Sequence, residues 1–195
     1  MITTDSREYR SFEFNSAESD MRVQGVPVVF NRETVLYRID GMECKEVIDA
    51  RAFDGVDLTD IVLNIDHEGK PAAKTKNGTL TLEVKGDGVY MDADLSKNAT
   101  GRELYEDIEN GFYDKMSFAF TVEADEYNEE SRTRTIKKIG KLYDVSAVTF
   151  PAYQQTSLSA RSFFEAEAEK EKKVRELAEL RKRKLLLLTE TMEVR

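Results

Sequence analysis

Met116-Ser117-Phe118-Ala119-Phe120-Thr121-Val122 (MSFAFTV) sets large apolar side chains at every second position, with small or polar ones between. That period of two is the pattern of a β-strand with one face turned to a core. On such a strand Ser117 is expected to face outward. Upstream the period changes. Ser96 to Asn110 carries Leu104, Tyr105 and Ile108 at helical spacing, with Thr100 and Glu103 placed as a capping box and Asn110-Gly111 as a left-handed stop. Downstream, the polar segment Tyr127 to Ser131 reads as a hairpin into a strand over Arg134 to Ile139. A further strand over Leu142 to Phe150 (LYDVSAVTF) is stopped by Pro151.

Further out, the same local signals repeat. Glu8 to Phe14 alternates as a first strand. Met21 to Phe30 is a second, with Gly25 and Pro27 marking a bulge or an edge. Val35 to Ile39 reads as a short strand or a turn, ending at the turn dipeptide Asp40-Gly41; Glu43 to Ile48 returns as a strand, and Asp49 to Phe53 reads as a short helical turn. Ile61 to Ile65 is a buried strand that delivers Asp66-His67-Glu68 and is broken at Gly69 and Pro71. Asn77-Gly78 predicts a tight hairpin between Ala72–Lys76 and Thr79–Val84. Val89 to Leu95 alternates again, with Tyr90, Asp92 and Asp94 on one face. From Ser162 on there is neither Gly nor Pro, and the pattern is that of one long charged helix. The expectation is a mainly β chain with helices (α+β): a closed or nearly closed β-barrel with peripheral helices over residues 1–161, and a charged C-terminal helical extension over 162–195.

Composition narrows the chemistry. The chain has 195 residues, 40% hydrophobic and 34% charged, with a formal net charge of −9. No apolar run is long enough to span a membrane. The opening MITTDSREYR has no apolar secretory core, so no signal peptide is expected. The acidic balance argues against a specific nucleic-acid partner. One cysteine, Cys44, excludes an internal disulfide and fits a reducing cytoplasm. With one His and one Cys, a zinc site built on those ligands is excluded, and no cofactor or metal is expected.

The single imidazole, His67, is the candidate for any base. A serine hydroxyl is a weak nucleophile near neutral pH and needs such a base, which a third group commonly orients. Ser117, His67 and Asp92 supply the three residue types, and Asp94 shares the strand face of Asp92. Each also has an ordinary reading: a loop histidine, a serine facing outward, a solvated acidic strand face. A Cys44–His67 pair and a metal at Asp66-His67-Glu68 are the rival chemistries. The first is opposed by the mid-strand place of Cys44, the second by the poor wrap of three adjacent ligands.

The order of the segments carries more. Val23 to Asn31 resembles the "xGYAxVFN" opening strand of the prohead proteases of tailed phages, whose fold is related to the herpesvirus assembly proteases. Glu46 to Phe53 is similar to their "E-x-I-xPGAF" segment, with Asp49-Ala50-Arg51 in place of Pro-Gly. Val62 to His67 resembles the "V-x-L-x-x-x-H" strand of the catalytic histidine, and Asn77 to Leu80 the "GTL" segment. Gly88 to Asp92 is similar to "GLYxE", with Asp92 for the acid. Lys115 to Phe120 resembles "x-MSFGF", with Ala119 for Gly, and Asp144 to Val148 with Pro151 to Tyr153 the closing "EVSxVxxPAY". The resemblance spans roughly Phe12 to Arg161.

It implies a serine endopeptidase of capsid maturation. Ser117 would be the nucleophile and His67 the base. Asp92 would orient His67, with Asp94, or a Ser–His dyad, as alternatives. The implied partners are the major capsid protein with its scaffolding segment, and the protease itself through autocleavage and a dimer or higher oligomer. The implied place is the assembling prohead in the bacterial cytoplasm. The alternative is an inactive assembly scaffold of the same fold. The terminal helix is expected to carry the protease into the shell or hold a self-cleavage site, or else to pack on the barrel or form a coiled-coil dimer contact. The basic run Arg181 to Lys184 reads as a solvated face.

Overall fold

The computed structural model describes residues 7–18, 20–149 and 158–193. Its elements are β1 (Glu8–Glu18), β2 (Arg22–Val29), β3 (Thr34–Ile39), β4 (Met42–Ile48), β5 (Val62–Ile65), β6 (Glu68–Lys74), β7 (Leu80–Val84), β8 (Gly88–Asp94), α1 (Ala99–Glu109), β9 (Lys115–Asn128), β10 (Thr133–Val148) and α2 (Leu158–Glu193). Two compact units divide the chain, Met1–Ser159 and Ala160–Arg195.

In the first unit the strands follow the order β3-β4-β10-β9-β1-β2-β8-β7, with β5 on β10 and β6 on β5. The expected barrel is not formed. Among the described residues β3 pairs only with β4 and β7 only with β8, so the ladder stays open. The hinge of the arrangement is β1. Its first half, Glu8 to Glu13, pairs with β9; its second half, Phe14 to Glu18, pairs with β2. One strand thus passes from one sheet into another. Short strands with close turns fit a sandwich or a barrel equally well, and closure depends on pairings between distant strands that local patterns do not encode.

β9 and β10 form the long central hairpin, paired from Asn128–Thr133 to Lys115–Val148. The strands expected separately over Arg134–Ile139 and Leu142–Phe150 are one strand, β10, which bulges through Gly140 instead of stopping. β10 pairs in parallel with β4 at its start and with β5 near its end. The core gathers on one face of this hairpin: Met116, Phe118 and Phe120 with Leu63, Ile136, Ile139, Leu142 and Leu104. Burying each such side chain contributes about 1.5–3 kcal/mol.

Three further turns differ from expectation. Asn77-Gly78 is not a hairpin: β6 pairs with β5 and β7 with β8, and Gly78 closes a 3-10 turn in the left-handed region (φ +76°) that passes the chain from one sheet to the other. Gly69 and Pro71 do not break the chain; they lie within β6, which among the described strands pairs only with β5, where a missing N–H is tolerated. Asp49 to Phe53 makes isolated turns, with Ala52 N donating to Asp49 O, rather than a helix. Helix α1 forms as expected, but its cap is Asn98. Asn98 Oδ1 accepts from Gly101 N at 2.7 Å while Nδ2 donates to Ala72 O at 3.0 Å, so the same side chain starts the helix and pins it to β6.

The second unit is α2. Val174, Leu177, Leu180 and Leu185 are exposed on it, and no helix among the described residues is long and apolar enough to cross a membrane. Pro151-Ala152-Tyr153 lies outside the described residues.

Candidate active site

β5 and β6 are joined by a two-residue hairpin loop. Ile65 pairs with Glu68, leaving Asp66 and His67 at the turn with φ of +47° and +63°. Positive φ at both central residues marks a type I′ turn, which normally takes Asn-Gly or Asp-Gly, so His67 stands where Gly is usual. Two side chains with β-carbons held there are a local strain, and such strain persists only where the surroundings fix it. Here they do: Asp66 N donates to Ala147 O at 2.8 Å, and the Asp66 carboxylate accepts from Thr149 N at 3.0 Å and Thr149 Oγ1 at 3.1 Å. The turn is clamped onto the end of β10. With Asp66 committed to Thr149, the triplet Asp66-His67-Glu68 does not converge on a common point.

The clamp aims His67 back over the sheet. Its Nδ1 lies 2.5 Å from Asp144 Oδ1, and its ring meets the ring of Tyr9 edge-on, centroids 4.6 Å apart. Asp144 is buried on β10, directly after the bulge between Leu142 and Asp144 that resets the register. It accepts a second hydrogen bond from Ser146 Oγ at 3.0 Å. With Nδ1–H donating to this carboxylate, the Nε2 lone pair is left to take a proton, which is the tautomer a general base requires.

Ser117 stands on β9 opposite Ser146 on β10. Directly opposed residues share a face, with Cβ atoms about 4.5–5.5 Å apart. Asp144 is likewise opposite Ala119, and Tyr9 on β1 is opposite Ala119 from the other side. Tyr9, Ser117, Asp144 and Ser146 therefore share one face, and His67 closes over it. Ser117 is not an outward-facing residue: only 1% of it is exposed, because both faces of β9 are covered from Met116 to Thr121. Its Oγ has no hydrogen-bond partner, so the bond to His67 is not made in this structure.

The sequence-expected acid lies elsewhere. Asp92 is on β8, between β2 and β7, where it is held by Arg22 and accepts from Gln24 Nε2 at 3.0 Å. Asp94 is also taken: it accepts from Ser96 Oγ at 2.6 Å and Ser96 N at 3.0 Å, with Lys97 at 3.1 Å. The Ser96 hydroxyl first, then Lys97, hold its pKa down at about 2. The hydrogen bond expected of Asp92 is made by Asp144. A signal for Asp144 existed in the sequence, because a carboxylate inside the apolar run LYDVSAVTF must find partners if that run is buried. Cys44 is buried in mid-strand on β4, opposite Tyr37.

A family model, that of the caudovirus prohead serine proteases, matches residues 8–172. Among solved structures the chain is similar to the bacteriophage T4 capsid assembly protease, at 15% sequence identity and a TM-score of 0.51, covering 73% of this chain and 97% of that one. That likeness is one of fold. No curated protein matches the sequence significantly.

Proposed function

Since the chain belongs to the caudovirus prohead serine protease family, we propose that it is a serine endopeptidase of capsid maturation in which Ser117 attacks, His67 is the base and Asp144 orients it. One observation carries the assignment: His67 and Ser146 both bond to Asp144, and Ser117 is the cross-strand neighbour of that same Ser146. The role expected of Asp92 passes to Asp144.

In this mechanism His67 Nε2 takes the Ser117 proton as Oγ adds to a peptide carbonyl. Asp144 stabilises the resulting imidazolium. The proton then goes to the leaving amine, an acyl-enzyme forms, and a water activated by the same imidazole releases it. Attack requires Ser117 Oγ and His67 Nε2 to come within about 2.6–3.2 Å, a contact that often tightens only when substrate binds. The substrates are the scaffolding segment of the major capsid protein and the chain itself, cut inside the assembling prohead of the bacterial host. Residues 162–195 are the extension that carries the protease into the shell and holds a self-cleavage site.

A second reading, an inactive scaffold of the same fold, is favoured by the buried and unbonded hydroxyl of Ser117. Coexpression with the major capsid protein of the same phage separates the two. Intact masses are expected to show a shortened capsid protein with the wild-type chain and a full-length one with Ser117→Ala or His67→Ala. Cleavage surviving Ser117→Ala refutes the nucleophile. No cleavage in assembled proheads supports the scaffold.

A further inference from the structure

Ser117, Ser146 and Asn64 form a row across three adjacent strands, β9, β10 and β5. The middle hydroxyl is satisfied, donating to Asp144. The two ends are not: Ser117 Oγ and Asn64 Oδ1 are buried atoms without a hydrogen-bond partner. An acceptor left unpaired away from water costs about 1–3 kcal/mol, and an aliphatic side chain of the same size would remove that cost. For Ser117 the proposed chemistry accounts for the orphan. Nothing in that chemistry uses Asn64, although it sits on the strand that leads into the His67 turn and opposite the residue that bonds to Asp144.

We propose that Asn64 is a substrate-binding residue of this site, its Oδ1 accepting a backbone N–H of the peptide whose carbonyl Ser117 attacks. The role rests on the Ser117–His67–Asp144 reading above. A peptide brings a main-chain N–H at nearly every residue, and this is the donor that a lone carbonyl oxygen needs. Asn64 and Ser117 are two strand spacings apart, about 10 Å. That is the length of roughly three residues of extended chain, so the N–H belongs to a residue near the scissile bond, not at it. Ser146 does not serve, because its hydrogen is already given to Asp144. Both orphan atoms are shut off from water, so the site must open for any ligand or probe to reach them, and each bond made there is strengthened by its apolar surroundings.

The test uses two covalent serine probes on the full chain. An alkyl fluorophosphonate has no peptide N–H; a trialanyl diphenylphosphonate has several. In Asn64→Leu, labelling of Ser117 by the peptidyl probe is expected to slow roughly five- to tenfold, the worth of one hydrogen bond. Labelling by the alkyl probe should stay within about twofold, and the melting temperature should hold or rise because an unpaired acceptor is gone. Asn64→Asp, which keeps an acceptor, is expected to retain more peptidyl labelling than Asn64→Leu. Equal slowing with both probes, or a lowered melting temperature, would make Asn64 a structural residue and overturn the proposal. Unchanged peptidyl labelling overturns it as well. A wild-type chain labelled by neither probe overturns the serine reading itself, and this role with it.

Discussion

Two groups of polar side chains with buried atoms lie on opposite faces of the same sheet, and they are built to opposite standards. On the core face of β1, Glu8 and Arg10 meet Glu46 of β4 and Arg134 of β10, each no more than 5% exposed. Every charge there is matched. Arg10 donates to both oxygens of Glu46 at 2.5 and 2.6 Å, to Glu8 at 2.7 Å and to the Tyr9 carbonyl at 2.7 Å. Arg134 donates to Glu8 at 2.9 Å and to Asp125 at 2.6 Å. Burial works against the Arg10 charge, and Glu46 and Glu8 more than restore it, leaving its pKa raised. On the other face, the row through Ser117 and Asn64 leaves two polar atoms unpaired. A finished network gives rigidity; an unfinished one is where a substrate has something to add. The two are joined through β1: Arg10 grips the Tyr9 carbonyl from one face while the Tyr9 ring braces His67 on the other.

The contrast breaks first at Asp144. Asp144→Asn is expected to lower kcat by about 10⁴-fold, by analogy with the cost of a wrong histidine tautomer in a serine triad. Asp92→Asn, whose carboxylate serves Arg22 and Gln24, should change kcat by no more than about twofold. Equal losses in both would restore Asp92 to the site. In the finished network, Glu46→Ala leaves two buried guanidinium groups short of a partner and should cost about 3–5 kcal/mol in chemical denaturation. Ser117→Ala, by contrast, should abolish cleavage while leaving stability unchanged or higher. Destabilisation by Ser117→Ala would mean that its hydroxyl is satisfied after all.

The smaller effects concern the clamps. Asp66→Ala removes two hydrogen bonds from a strained turn and should lower stability by about 1–3 kcal/mol and kcat with it, since His67 loses its aim. Asp94 is a saturated cap with a depressed pKa of about 2. Its contribution is therefore present above the unfolded carboxylate range and lost as pH falls towards 2. Asp94→Asn should be less stable than wild type at neutral pH and nearly equal to it at pH 2, as read from urea midpoints.

The local patterns carried most of the elements. β2, β4, β8, α1 and the alternation at Met116 to Val122 are where the sequence puts them, because burial on one face writes a period into the chain. What the sequence hid are the pairings. Asn77-Gly78 has the residues of a hairpin, but its flanking strands find better partners in β5 and β8. Asp66-His67 has the Asp of a type I′ turn but not its Gly, and makes one because Thr149 and Ala147 hold it. Asp92 and Asp144 are both acids on strands. Only the register of β10 against β9 and β5 shows which of them His67 reaches.

The most direct measurement is mass spectrometry of the full chain after treatment with an alkyl fluorophosphonate. A single adduct on Ser117 is predicted, lost in His67→Ala, strongly slowed in Asp144→Asn and retained in Asp92→Asn. An adduct on another residue, or one on Ser117 that forms as fast without the Asp144 carboxylate as with it, would contradict the account.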